Sequence, residues 1–214
     1  MTTTNIIDLA FNVAGQSLPA DHGFPLYGAI SRLLPSIHEV SGIAIHSIRG
    51  RIVGQRIMQL NDASRLVIRT PSERIHELLP LAGKQLVVAG HVLRVGVPQI
   101  FALKPCEALR SRLVVIKLSS ETPAAPSAED FLAGIRRKLA AFEISHNSSI
   151  TLGKRRTVRV HEKEVVGYEV IVEQLGASES IALQSNSPRD PTQRFARNHM
   201  GCGVFTEWAK GDSR

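Results

Sequence analysis

Residues 5–13 read NIIDLAFNV. Apolar and polar side chains alternate there, the pattern of a strand. Gly15 to Asp21 turns the chain. Leu26, Ile30, Leu33, Leu34 and Ile37 then recur at helical spacing, which predicts a helix from about Phe24 to Ile37. Gly42 ends that segment. Residues 43–48, IAIHSI, form a short strand, and Ser64 to Arg69 form another with Leu66 and Ile68 inward. Pro71-Ser72-Glu73 opens a second helix, with Pro71 near its first turn and Pro80 beyond its end. Gln85 to Val97 reads as a hairpin turning at Ala89-Gly90. The order strand, helix, strand, strand, helix, strand is the split βαβ pattern of a ferredoxin-like domain.

The second half repeats that order. Leu113 to Leu118 is a strand, and Thr122 to Ser127 is a loop. Ser127, followed three residues later by Asp130, caps a helix that carries Phe131, Ile135, Leu139 and Phe142 on one face. Arg155 to His161 and Val165 to Glu173 alternate Val and Ile around a turn at Glu162-Lys163-Glu164. A short helix spans about Ser178 to Leu183. A polar loop from Ser185 to His199 leads into a closing strand that ends near Phe205. The fold class is α+β: two tandem ferredoxin-like βαββαβ domains, 1–108 and 109–214, joined near Leu103–Leu109.

Forty-three per cent of the 214 residues are hydrophobic, enough for ordinary cores. Lys and Arg number 26 against 19 Asp and Glu, a net charge of +7, which points to a polyanionic partner. The excess is spread over both halves, so a nucleic-acid surface should run across both. Cys106 and Cys202 have no metal or redox spacing and read as buried thiols in a reducing compartment. No apolar run is long enough for a membrane span. The first residues lack the basic region of a signal peptide. These features predict a soluble cytoplasmic protein without a membrane partner.

Cations cluster at Arg136-Arg137-Lys138, at Lys154-Arg155-Arg156 with Arg159, and at Arg189, Arg194 and Arg197. Any one cluster is ordinarily a solvated face; three in one small domain favour RNA or DNA. Aromatic residues are only 5%, so phosphate and shape contacts should outweigh base stacking. His22 precedes the first helix, Tyr27 lies on it, His38 follows its last apolar residue and His46 lies in the next strand. Imidazole titrates near neutrality. One histidine can therefore take the proton of a ribose 2′-hydroxyl while another protonates the leaving 5′-oxygen. Each histidine alone is more often structural, and His199, beside Gly201 and Gly203, is open to either role. Those two glycines bring bare backbone beside positive charge, where N–H groups can hold phosphate. No nucleotide-binding loop, hydrolase elbow, zinc motif or tight carboxylate cluster is present, so no cofactor and no metal is expected.

Residues 18–27 (LPADHGFPLY), 31–39 (SRLLPSIHE), 45–50 (IHSIRG), 79–84 (LPLAGK), 95–98 (VGVP), 112–117 (RLVVIK) and 200–205 (MGCGVF) together resemble the CRISPR-associated repeat-processing endoribonucleases. This is the Cas six family, and the chain is most similar to its MYXAN subtype. The resemblance covers most of the chain in order. It implies two ferredoxin-like, RRM-like domains and a metal-independent endoribonuclease. Such an enzyme cuts precursor CRISPR RNA in each repeat at the base of a hairpin. It leaves a 5′-hydroxyl and a 2′,3′-cyclic phosphate or 3′-phosphate.

The resemblance also implies that the protein stays on the CRISPR repeat RNA it has cut, as a subunit of an effector complex. It ranks His38 first as the catalytic histidine and His22 second, with His46 and Tyr27 in support. The RNA-binding set is Arg49, Arg51, Arg136, Arg137, Lys138, Lys154, Arg155, Arg156, Arg194, Arg197, Gly201 and Gly203. Family members carry a glycine-rich loop near the C-terminus, and residues 187–199 here have no glycine. Arg194 and Arg197 are expected to supply by side chain what those glycines supply by backbone. The alternatives are a non-cleaving RNA-binding subunit of an RNA-guided complex and a general RNA chaperone.

Overall fold

Ile7, Leu9, Phe11 and Val13 are buried on one side of the first strand, as its alternation requires. The computed structural model describes residues 5–38, 42–116, 127–160, 163–187 and 191–209, except the side chains of 159, 160, 163, 164 and 191. Glu39, residues 117–126, the turn at 161–162, Arg189 and the Arg159 side chain lie outside the described residues. The chain divides into two compact units. One is Met1–Leu103 with Asn198–Gly201; the other is Lys104–Arg197 with Cys202–Arg214.

The first unit runs β1 (Ile6–Ala14), β2 (Ser17–Pro19), α1 (Gly23–Leu33), β3 (Ala44–Ile45), β4 (Arg51–Gly54), β5 (Ile57–Gln59), β6 (Arg65–Pro71), α2 (Ile75–Leu78), β7 (Gln85–Val88) and β8 (His91–Ala102). A five-stranded sheet has the order β3-β6-β1-β8-β7. It is antiparallel, with Leu9 opposite Ile68 on one side and opposite Ile100 on the other. This is the ferredoxin-like order, with β7 added beyond β8. Leu26 and Ile30 of α1 and Leu78 of α2 join the β1, β6 and β8 side chains in one core.

A second, three-stranded sheet β2-β5-β4 has no counterpart in the pattern read from sequence. Its short strands carry one buried residue each at most, Leu18 and Met58, so periodicity had little to register. The first helix stops at Leu33, not Ile37. Pro35 cannot continue it and forces Leu34 out of the helical region, to φ −129° and ψ 78°. Residues Pro35–His38 form a 3-10 turn instead.

On the sheet face away from the helices, Arg69 donates from Nε to Asp8 Oδ1 (2.7 Å) and from a terminal nitrogen to Oδ2 (2.8 Å). Arg69 is 3% exposed, so this is a buried pair. His46 Nε2 lies 3.6 Å from Asp8 Oδ1, too far for a hydrogen bond. Burial raises the Asp8 pKa, but His46 and Arg69 outweigh it and hold the carboxyl well below the usual range. Burial pushes the His46 pKa down, with the Arg69 and Arg49 charges adding to it and Asp8 opposing.

The second unit runs β9 (Ala108–Val114), α3 (Ala128–Ala140), β10 (Ser149–Val160), β11 (Lys163–Glu173), α4 (Ala177–Gln184) and β12 (Thr206–Glu207), with sheet order β10-β11-β9-β12. It is the same topology again. Ser127 caps α3 by accepting the Asp130 N–H at 3.1 Å. Phe131, Ile135 and Leu139 face the core.

Three expectations shift here. The first strand is 108–114 rather than 113–118, because Leu109, Ser111 and Leu113 point inward. The closing strand, expected to end near Phe205, lies beyond it instead, at Thr206–Glu207. Residues Asn198–Met200 form a 3-10 turn, and Arg197, Gly201 and Gly203 all have φ between 62° and 80°, which strands do not adopt. Cys202 is buried, but Cys106 is only partly so. No helix among the described residues is long and apolar enough to cross a membrane.

Removing one partner of the buried pair, by Arg69→Ala, should cost about 3–5 kcal/mol in urea unfolding. Arg56→Ala breaks an ion pair with Asp21 whose arginine is 75% exposed, and should cost under about 1 kcal/mol. Equal losses would remove the special standing of Asp8–Arg69. Because folding lowers the His46 pKa, its stabilising effect is full above the unfolded value of about 6.5 and is lost as pH falls from there to the lower folded value. The urea midpoint should therefore drop between about pH 7.5 and 5.5, and His46→Gln should flatten that part of the curve.

Candidate functional site

Leu26 and Ile30 turn one face of α1 into the core and leave Tyr27, beside them, half-buried at its edge. The break at Pro35 folds the chain back, so His38 returns to the same helix. Tyr27 Oη and His38 Nδ1 are 2.7 Å apart, and the rings meet edge-on with centroids 5.3 Å apart. His38 is exposed. Burial raises the Tyr27 pKa, further from neutrality than the ordinary phenol value of about 10. When His38 carries its proton on Nδ1, it donates to Tyr27 Oη and leaves Nε2 as a base.

A third ring joins these two from far along the chain. The 3-10 turn Asn198–Met200 lays His199 against Tyr27, with centroids 4.4 Å apart and planes tilted by 48°. The turn closes with the Gly201 N–H donating to the Asn198 carbonyl at 3.0 Å. Two glycines let it dock. A Cβ on Gly23, the first residue of α1, would run into the Met200 carbonyl. A Cβ on Gly201 would lie 2.9 Å from Ser47 Oγ, and its φ of +80° is one that side chains resist.

The other two candidate histidines are placed differently. His22 is 1% exposed and sits at the N-cap of α1. Its Nδ1 donates to the Pro19 carbonyl at 2.8 Å, and its Nε2 accepts the Ile48 N–H at 3.0 Å. That fixes a neutral tautomer with both nitrogens in use. His46 lies with Asp8 and Arg69, its side chain 12% exposed. The structure thus brings Tyr27, His38 and His199 together and keeps His22 and His46 inside the fold. Sequence reasoning left His199 undecided. Its signal was the run Gly201-x-Gly203 beside it, matched by Gly23 beside His22.

The cations divide likewise. Arg49 is exposed, and Arg51 on β4 donates to Gln59 Oε1 at 2.9 Å. Arg136 and Arg137 are exposed on α3. Lys138 turns inward, donating from Nζ to the Gln193 and Arg194 carbonyls at 3.0 and 3.1 Å, and burial lowers its pKa. It lies 5.7 Å from the centroid of the Phe195 ring, itself packed on Phe142 and Phe205. Lys154 and Arg155 are exposed at the irregular step of β10, whereas Arg156 is half-buried. Arg194 is exposed; Arg197 is half-buried and its carbonyl accepts the Cys202 N–H at 3.2 Å. The Gly203 N–H donates to the Leu113 carbonyl at 2.7 Å, so the N–H groups of both Gly201 and Gly203 bond within the protein. Among the described residues, no three of His, Cys, Asp or Glu converge to hold a metal.

A family model described as Cas6 Crispr matches residues 7–209. The CRISPR-associated endonuclease Cas6 of Myxococcus xanthus (strain DK1622) is 34% identical over 199 residues, covering 93% of this chain and 80% of that protein. Two solved structures share the fold. One, a CRISPR associated protein Cas6, has a TM-score of 0.60 at 13% identity, over 96% of this chain and 99% of that one. The other, an RAMP protein binding different RNA substrates, has a TM-score of 0.66 at 15% identity, over 96% and 100%. With a family match running almost from end to end, and a relative of this identity over nearly the same span, the chain belongs to the Cas6 CRISPR family.

Proposed function

We propose that the protein is an endoribonuclease that binds the repeat hairpin of precursor CRISPR RNA and cuts it without metal. The observation that carries this reading is the 2.7 Å contact between Tyr27 Oη and His38 Nδ1 on an exposed edge of the first unit. His38 Nε2 takes the proton of the ribose 2′-hydroxyl, and the freed oxygen attacks the adjacent phosphorus. The 2′,3′-cyclic phosphate forms as the 5′-oxygen leaves. In the tautomer that leaves Nε2 as the base, Tyr27 Oη accepts from His38 Nδ1–H, and its own O–H can donate to a phosphate oxygen. The endonuclease name of the Myxococcus xanthus relative supports the same activity. Arg136 and Arg137 on α3, with Lys154 and Arg155 on β10, supply exposed cations for phosphate contacts. The reading includes retention of the cut RNA, through which the protein serves as a subunit of an effector complex.

The direct test uses the purified protein in EDTA with repeat RNA and a copy bearing 2′-deoxyribose at the cut site. Cleavage of the first alone is the expected result. Binding without cleavage of either would instead favour a non-cleaving subunit.

His38→Ala should lower the single-turnover rate by about 10²–10⁴-fold and leave hairpin affinity nearly unchanged. Loss of affinity to the same degree would take His38 out of the chemistry. Arg136→Ala with Arg137→Ala should weaken binding and reduce the slope of log affinity against log salt by about 2. An unchanged slope, measured by fluorescence anisotropy across a salt series, would remove α3 from the RNA surface.

A further inference from the structure

We propose that His199 is the second catalytic group, the acid that protonates the leaving 5′-oxygen. The inference rests on the reading of Tyr27 and His38 as the cleavage centre. It starts from placement. His38 meets Tyr27 at the hydroxyl, 2.7 Å away, while His199 lies tilted against the ring at 4.4 Å between centroids. Two imidazoles therefore flank one phenol at different points. In-line displacement needs that separation, because the attacking and leaving oxygens lie on opposite sides of phosphorus and one histidine cannot serve both at once.

The turn that carries His199 is held in place. Gly23 accepts the Met200 carbonyl against its α-carbon, and Gly201 passes Ser47 and the Ile45 carbonyl where a Cβ would not fit. Residues Asn198–Gly201 belong to the first unit, although the chain on either side belongs to the second. An excursion that departs and returns within four residues, seated through Met200 on Gly23 and through Gly201 beside Ser47, places His199 against Tyr27. The remaining histidines near α1 cannot substitute. His22 has both nitrogens engaged, and His46 is enclosed with Arg69 and Asp8.

The step balances without a co-reactant. Neutral His38 accepts the 2′-hydroxyl proton as the O2′–P bond forms. The P–O5′ bond breaks, and protonated His199 gives its proton to O5′. The products are a 2′,3′-cyclic phosphate and a 5′-hydroxyl, with His38 left cationic and His199 neutral.

The test replaces the bridging 5′-oxygen at the cut site with sulfur. A thiolate leaves without being protonated, its conjugate acid having a pKa of about 8.5 in cysteine. On all-oxygen RNA, His199→Ala should slow single-turnover cleavage by about 10²–10⁴-fold with affinity unchanged. On the sulfur-substituted RNA it should return to within about threefold of wild type, while His38→Ala stays slow on both. Where alanine disturbs the turn and weakens binding, His199→Gln keeps a polar side chain of similar reach and is held to the same criteria. A His199 variant equally slow on both RNAs, or as fast as wild type on oxygen, overturns the assignment. Failure of the wild-type protein to cut either RNA in EDTA overturns the endoribonuclease reading itself, a separate and distinguishable result.

Discussion

The Met200 carbonyl rests directly on the α-carbon of Gly23, and the candidate site depends on that contact. Backbone this close to backbone allows no side chain between. It fixes the start of α1 against the Asn198–Met200 turn, and so fixes Tyr27, one turn into the helix, against His199. The same helix start is held from within by His22, which bridges the Pro19 carbonyl and the Ile48 N–H. Removing that ring would strand a buried acceptor and a buried donor, each worth about 1–3 kcal/mol unsatisfied. The helix is therefore seated by one buried histidine and one bare glycine, residues 22 and 23, before its first catalytic candidate appears.

Charge follows a similar logic. Three cations stand in sequence at 136–138, yet only Arg136 and Arg137 face solvent. Lys138 follows Phe131 by seven residues and Ile135 by three, which places it on the flank of the apolar face. There it closes two backbone carbonyls of the loop at Gln193 and Arg194. Asn186 grips the same loop, accepting the Phe195 N–H at 2.9 Å and donating to its carbonyl at 3.1 Å. The loop lacks glycine and is instead pinned by Phe195 in the core. Its side-chain anchors do what a glycine-rich backbone cannot, because glycine has no side chain to bury.

Both ferredoxin-like units were legible in sequence because their long strands and helices carry periodicities of 2 and 3.6 over enough residues to register. The Ser127 cap was local chemistry, whereas the break at Pro35 went unread because Ile37, at helical spacing, extended the expected helix past it. Strands of two to four residues, such as β3, β4 and β5, give no period to count. The candidate site was half legible. Tyr27 and His38 lie on one helix and the turn after it, so local reading reached both. His22 and His46 stood among the candidates behind His38, because sequence does not reveal which ring nitrogens are already bonded. His199 was out of reach because its meaning lies in a contact across the whole chain. Gly201, one of the two glycines that permit it, looked like phosphate-binding backbone rather than the seat of a turn.

That distinction among histidines follows from what each ring would forfeit by accepting a proton. His22 would lose the Ile48 N–H bond and bury a cation. His46 would face the Arg69 charge at close quarters, where Asp8 is already committed to Arg69. Neither can cycle between protonation states without unsettling the fold. His38 is solvent-exposed, and with its proton on Nδ1 it keeps the bond to Tyr27 when Nε2 is protonated as well. Burial raises the Tyr27 pKa, and the neutral phenol can accept from Nδ1–H while donating its own O–H, an arrangement that leaves Nε2 unprotonated.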